Sequence, residues 1–202
     1  MTDPQTHWNE RYEEYNIPWD SGQASEELRR VLSEFQIEPC RTLEPGCGTG
    51  TNAVYLAQQG FQVTAFDVAP LAVEQARAKA EAEKVAVDFS VGDVAHPPPV
   101  DAPFPFVFDR GVYHVLRRDQ PGAFLQMMER VTETDSLWLT LAGNADEKKL
   151  DEGPPTLSAA EICREIEPLF SIQQLRAFHF DATHANGESF RPLAWSILSR
   201  RR

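Results

Sequence analysis

The chain has 202 residues, of which 42% are apolar and 25% charged, with a formal net charge of −12 at pH 7. This balance fits one folded domain with a real core and excludes a disordered chain. The excess of acid disfavours DNA or RNA as a partner, because a polyanion is repelled by that field.

No apolar run is long enough for a membrane helix. The start, Met1 to Trp8, lacks a basic stretch followed by an apolar core, so it does not read as a secretory signal. The expected setting is the cytoplasm, with a small-molecule partner, no nucleic acid and no membrane. A monomer is expected, with a dimer as the alternative. The 3 cysteines, Cys40, Cys47 and Cys163, have neither metal-site spacing nor an even count for a disulfide framework. The histidines are scattered as well, and no metal is predicted.

The predicted elements alternate from about residue 40. Thr42-Leu43-Glu44 ends a first strand, and Asn52 to Gln59 reads as a helix stopped by Gly60. Phe61 to Phe66 is rich in β-formers and gives strand two. Pro70 to Lys84 is dominated by Ala, Glu, Lys, Gln and Arg and starts on Pro, which predicts a helix. Val85 to Val91 follows as strand three, then a Pro-rich loop from His96 to Pro105. Phe106 to Asp109 is apolar enough for a central strand. Gln120 to Val131 is the next predicted helix, with Pro121 in its first turn, and Ser136 to Ala142 the fifth strand. After a polar loop over 143–157, Ser158 and Glu161 have the spacing of a capping box for a helix reaching about Glu167. Two β-like runs close the chain, Phe170 to Phe180 and Pro192 to Ser199. Trp138, His179 and Trp195 fall on these late strands and read as core or pocket wall.

Alternating strands and helices imply an α/β fold, a Rossmann-like three-layer sandwich. Its mostly parallel seven-stranded sheet ends in an antiparallel C-terminal hairpin. A single domain is expected. Residues 1–38 form an N-terminal helical lid, 39–142 a binding core, and 143–202 a C-terminal helix and hairpin.

Glu44-Pro45-Gly46-Cys47-Gly48-Thr49-Gly50 lies between strand one and the first core helix, where open α/β sheets bind nucleotides. Glycine lets the backbone turn sharply and a ligand approach closely. The spacing is GxGxG, not the GxGxxG of dinucleotide folds and not a P-loop. Cys47 reads better as a small residue fitted to a tight turn than as a nucleophile. Asp67 ends strand two, where a carboxylate can accept both hydroxyls of a ribose, and Val68 follows it. Asp93, in Gly92-Asp93-Val94, ends strand three and can accept from an adenine amino group. Asp109-Arg110-Gly111 ends strand four.

These segments resemble class I S-adenosylmethionine-dependent methyltransferases over about residues 40–142. The resemblance implies S-adenosyl-L-methionine as cofactor. It places Glu44, Gly46, Cys47 and Gly48 around the methionine half, Asp67 and Val68 at the ribose, and Asp93 and Val94 at the adenine. A narrower resemblance covers nearly the whole chain. Trp8-Asn9-Glu10-Arg11-Tyr12, Pro18-Trp19-Asp20-Ser21-Gly22, Phe108-Asp109-Arg110-Gly111 and Gly153-Pro154-Pro155 look like signatures of the thiopurine S-methyltransferase superfamily, which includes thiol and halide methyltransferases.

That likeness implies that Trp8, Tyr12 and Trp19 fold over the cofactor, and that Arg110 lies near the methionine carboxylate or the acceptor. Trp8 reads equally as packing for an N-terminal helix. His114 is a candidate general base, against the plainer reading that it packs a short helix. The Pro18–Gly22 stretch reads as a hinged lid segment that orders on cofactor binding. The implied activity is methyl transfer to a small acceptor, a thiol or other soft nucleophile. A tellurite-resistance-type methyltransferase and a non-catalytic S-adenosylmethionine-binding protein are the alternatives. A nicotinamide oxidoreductase lacks its glycine spacing and catalytic pair. A protein or nucleic-acid methyltransferase is disfavoured by the charge and by the absence of an [ND]PP[YF] motif.

Overall fold

The computed structural model of the protein describes residues 3–99, 101–120, 122–147, 155–183 and 188–202. Gly153 and Pro154 of the GPP stretch, and Pro121, lie outside them. The elements are α1 (Pro4–Glu13), α2 (Glu26–Glu34), β1 (Arg41–Pro45), α3 (Thr51–Gln58), β2 (Gln62–Asp67), α4 (Pro70–Glu83), β3 (Asp88–Val91), β4 (Phe106–Arg110), α5 (Val112–Asp119), α6 (Ala123–Val131), β5 (Leu137–Gly143), α7 (Ala159–Ile166), β6 (Phe170–His179), β7 (Ala182–Thr183), β8 (Ser189–Phe190) and β9 (Leu193–Arg201). One sheet has seven strands in the order β3-β2-β1-β4-β5-β9-β6, and β7 pairs with β8 separately. The chain divides into two compact units, Met1–Asp93 with Asp181–Phe190, and Val94–Phe180 with Arg191–Arg202.

In the first unit β1, β2 and β3 run parallel, with Glu44 opposite Ala65 and Asp67 opposite Val91. Both faces of these strands are covered, so Leu43, Val63, Ala65, Phe66 and Phe89 are all buried. Helix α4 starts on Pro70 and has no cap from its own Ala69. Its orphan Leu71 N–H instead donates to Asn9 Oδ1 of α1 at 3.0 Å. A side chain distant in sequence thus does the work of an N-cap. Tyr12, Ala69 and Ala72 form a small core at this contact, with Trp8, Ile17, Trp19 and Leu71 packed against it.

In the second unit β4 and β5 are parallel, while β9 runs antiparallel to both β5 and β6. Trp138 on β5 is fully buried and stacks on Phe124 at 5.3 Å, with Tyr113 and Phe170 each 5.4 Å away. The Ser158 capping box is present in full. Its Glu161 carboxyl is pulled down to about 2 by the Ser158 N–H and hydroxyl that it accepts from, with Arg117 adding to the effect.

Three expectations need correction. Strand three begins at Asp88, not Val85, because Lys84 takes a left-handed C-cap and the Val85 N–H closes α4 on Ala80 O. The helix expected from Gln120 begins at Ala123, after Gly122 with φ 89°. His179 is exposed on the edge strand β6, not part of a core. Trp195 is half-buried, and its Nε1 donates to Leu157 O at 2.8 Å. Helix α5 is absent from the predicted elements, beyond the reading of His114 as packing for a short helix. Its two valines and its tyrosine are poor helix formers, so local propensity hides it.

Candidate functional site: the glycine-rich turn and its surroundings

The turn after β1 is built by glycines with positive φ: Gly46 at 62°, Gly48 at 54° and Gly50 at 75°. Cys47 N–H donates to Phe66 O at 3.0 Å and Gly50 N–H to Cys47 O at 3.0 Å, which fixes the turn against β2. A Cβ on Gly48 would come 3.0 Å from the Tyr12 hydroxyl. Positive φ at three positions and this close contact make bare backbone the favoured way to build the cradle. Glu44, one residue before Pro45, is buried.

Asp67 is buried at the end of β2. Its Oδ2 accepts from Gly48 N–H at 2.9 Å and its Oδ1 from Ala69 N–H at 2.9 Å. Burial pushes its carboxyl above the ordinary value, and the backbone N–H groups of Ala69, Gly48 and Val68 pull it back. A carboxylate accepts up to about four hydrogen bonds, so acceptor capacity remains for a ligand hydroxyl. A positive-φ cradle with a strand-end carboxylate locked to its amide fits a ribose-bearing cofactor such as S-adenosylmethionine. Burial also pushes the Cys47 thiol well up, with Glu44 and Asp67 adding to the effect. That keeps it protonated and suits a packing residue better than a nucleophile.

The N-terminal aromatics meet beside this turn. Trp8 and Tyr12 approach Trp19 edge-on, with centroids 5.6 and 6.4 Å away. Tyr12 is buried, while Trp8 and Trp19 are half-buried. The Arg11 guanidinium lies 4.7 Å from the Trp19 ring centroid and 5.9 Å from that of Trp8. Val68 and Asp93 are half-buried and Val94 is buried.

Among the residues that sequence reasoning left without a role, four form one network. Lys79 Nζ donates to Thr49 Oγ1 at 2.7 Å and to Thr51 Oγ1 at 2.5 Å. Thr49 donates in turn to Asp20 Oδ2, and Thr51 to Asp20 Oδ1 at 3.3 Å. Asp20 sits in the PWDSG segment, which was its only signal. No spacing rule connects it to Thr49 or Lys79.

In the second unit the Asp109 carboxylate is fully buried. Its Oδ1 accepts from the N–H groups of Val112 and Tyr113 at 3.2 and 3.1 Å, and its Oδ2 from Trp138 Nε1 at 2.9 Å. It therefore caps α5, whose N-cap residue is Gly111 with φ 93°. This holds the turn that carries Arg110, whose guanidinium lies 4.7 Å from the Phe180 ring centroid. His114 is buried, and its Nδ1 accepts from Gly143 N–H at 2.6 Å. A neutral ring in that arrangement carries its proton on Nε2, so it presents a donor there and not a base.

Burial pushes the Asp109 carboxyl up from 3.8 to about 6, against the pull of its hydrogen bonds. The folded state then holds this proton more tightly than the unfolded chain does. The Asp109 contribution to stability is therefore greatest at low pH and is lost as pH rises through about 6. Asp109→Asn is expected to remove that pH dependence. It is also expected to cost about 1–3 kcal/mol, because an amide N–H₂ would face other donors. Denaturation midpoints of both proteins between about pH 4 and 7 check this. Parallel curves would refute it.

Among the described residues, no helix is long and apolar enough to cross a membrane. A broad open hollow of about 1000 Å³, lined by Arg41, Gln62, Asp88 and their neighbours, lies at the starts of β1, β2 and β3. The glycine-rich turn follows the end of β1.

Comparison with known proteins gives these residues a context. The sequence pattern of the thiopurine S-methyltransferase (TPMT) family matches residues 3–196. The chain is 23% identical over 175 residues to a 2-heptyl-1-hydroxyquinolin-4(1H)-one methyltransferase of Mycobacteroides abscessus, covering 86% of this chain and 75% of that one. It is 27% identical over 165 residues to a probable thiol methyltransferase 2 of Arabidopsis thaliana, covering 80% and 72%. A solved structure described as the conversion of a disulfide bond into a thioacetal group during echinomycin biosynthesis superposes with a TM-score of 0.85 at 22% identity, over 98% of this chain and 92% of that one. With its Rossmann-like sheet, its glycine-rich turn and a family match over nearly its whole length, the chain belongs to the thiopurine S-methyltransferase family and is an S-adenosylmethionine-dependent methyltransferase.

Proposed function

We propose that this methyltransferase passes the methyl group to a small soft nucleophile, with a thiol as the first candidate. The observation that carries the donor half of the reading is the seat of Asp67, a buried carboxylate held by the amide of Gly48 in the same unit as the N-terminal aromatics; the thiol half is supported by the likeness to a probable thiol methyltransferase. Asp67 takes the ribose hydroxyls, with Val68 beside it. Glu44, Gly46, Cys47 and Gly48 surround the methionine half, and Asp93 and Val94 hold the adenine. Residues 1–38 act as a cover, with 39–142 as the binding core and 143–202 as the C-terminal part. Trp8, Tyr12 and Trp19 exclude water. An aromatic face also attracts the cationic sulfonium; a guanidinium already lies over Trp19, so that role falls to Tyr12.

When bound, S-adenosylmethionine supplies an electrophilic methyl on a sulfonium whose leaving group is a neutral thioether. The protein's task is to hold donor and acceptor in line and dry. A thiol has an ordinary pKa of about 8.5, so a thiolate fraction exists near neutral pH without a strong base. The positive charge of Arg110 favours that anion. His114, a donor at Nε2, serves to orient groups and not to remove a proton.

The test is transfer of a labelled methyl group to a panel of small thiols, thiopurines, halides, hydroxyquinolones and tellurite. Thiols are expected to be the best acceptors. Arg110→Met is expected to lower kcat/KM for the best thiol by about tenfold, roughly 1.4 kcal/mol, and to move the rise of activity to higher pH. A panel in which tellurite or an oxygen acceptor is methylated and no thiol is would overturn the thiol assignment.

A further inference from the structure

The Pro18–Gly22 segment is held at several points within its own unit. Asp20 N–H donates to Ile17 O at 2.9 Å, closing a turn with Pro18 at its second position. Asp20 Oδ1 accepts from Gly22 N–H at 3.0 Å. Thr183 N–H donates to Pro18 O at 3.0 Å. Immediately after the segment, Ser25 N–H donates to Asn52 Oδ1 at 2.9 Å.

The anchor nearest the glycine-rich turn is the four-residue network. Each threonine hydroxyl accepts a hydrogen bond from the Lys79 ammonium and donates one to a separate oxygen of Asp20. Two of the ammonium's three donors and both threonine protons thus have a direction within the network. A hydroxyl oxygen facing the ammonium must turn its own proton away, and the carboxylate lies where it turns. Thr49 is part of the turn itself, and Thr51 is the first residue of α3. Lys79 comes from α4, the helix that Asn9 of α1 caps. The carboxylate of Asp20 is thereby tied to both helices that frame the turn, and Trp19 is the adjacent residue.

We infer that Asp20, Thr49, Thr51 and Lys79 form a latch that fixes the Trp19 segment against the glycine-rich turn, and that this latch, through the placement of Trp19 and Tyr12, sets the affinity for the methyl donor. The second half of this inference rests on the cofactor reading above. The first half does not. These four are positioning residues. They act on the donor through the cover and are distinct from the groups assigned to hold it.

The latch is tested with Thr49→Val, which keeps the shape and removes the hydroxyl, Thr49→Ser, which restores it, and Asp20→Asn and Lys79→Met singly and together. The readouts are KM for S-adenosylmethionine, kcat, and amide hydrogen exchange over Trp19–Gln23. Thr49→Val is expected to raise KM about tenfold with a much smaller change in kcat, and to speed exchange over Trp19–Gln23. Thr49→Ser is expected to restore both. The double variant Asp20→Asn with Lys79→Met is expected to be little worse than the poorer single variant, because both act through one network.

Additive effects of the two single changes would overturn the latch. So would unchanged exchange at Trp19–Gln23 in Thr49→Val. Exchange that speeds up with no change in KM would leave the latch standing and remove its link to donor affinity. If Asp67→Ala bound the donor as tightly as the unaltered protein, the cofactor reading would fail, while the exchange result would still decide the latch.

Discussion

Asp67→Ala is expected to weaken binding of S-adenosylhomocysteine by about 100-fold, measured by titration calorimetry. A hydrogen bond to a charged group contributes about 1.5–3 kcal/mol, and losing the bonds to a ribose diol amounts to roughly 3 kcal/mol. The substitution also takes the acceptor from Gly48 N–H and Ala69 N–H, so the turn loses an anchor as well. Asp67→Asn separates the two effects. Its amide oxygen can still accept from one of those N–H groups, which spares part of the fold, but it carries no charge for the ligand. Binding should fall in both variants, and stability more in the alanine. Unchanged affinity in Asp67→Ala would refute the assignment of this carboxylate to the cofactor.

The largest effect on stability is expected at Gly50. Its φ of 75° is a region that residues with a Cβ avoid, and an added Cβ would lie 2.7 Å from Ala76 Cβ and 2.9 Å from Phe89 Cζ. The conformational term is about 1–2 kcal/mol and the overpacking term about 1–3 kcal/mol. Gly50→Ala should therefore cost about 3 kcal/mol, a fall in Tm of roughly 6–12 °C for a chain of this size. Gly22 supplies the comparison. Its φ is 70°, but nothing lies within 4 Å of its added Cβ. Gly22→Ala should cost only the conformational part, about 1 kcal/mol. If the two variants melted together, packing around Gly50 would not be the reason for its glycine.

Much of the candidate site's backbone frame was legible because its signals are local. The glycines, Asp67 and Asp93 stand at strand ends, and strand ends are marked by the change from apolar runs to turn residues. The Ser158–Glu161 capping box was legible for the same reason, since both partners lie within one turn of helix. Helix α5 was not legible. Its cap is the Asp109 side chain acting across a left-handed glycine, and its stability comes from burying Tyr113 against Phe124 and Trp138. The late start of strand three, at its N-terminal end, had a similar origin in the helix closure at Lys84 and Val85.

The glycine-rich turn and its carboxylate were thus determined by the sequence alone, because backbone geometry at positive φ and the alternation of strands and helices are written in adjacent residues. Tertiary structure decided how that turn is held. Asn9 caps a helix that begins at Pro70, and Asp20 and Lys79 meet at the hydroxyls of Thr49 and Thr51. Those bonded partners stand 28 to 62 residues apart along the chain. A hydrogen bond needs a donor and an acceptor within about 3 Å in space, a condition that no local pattern of residue types encodes.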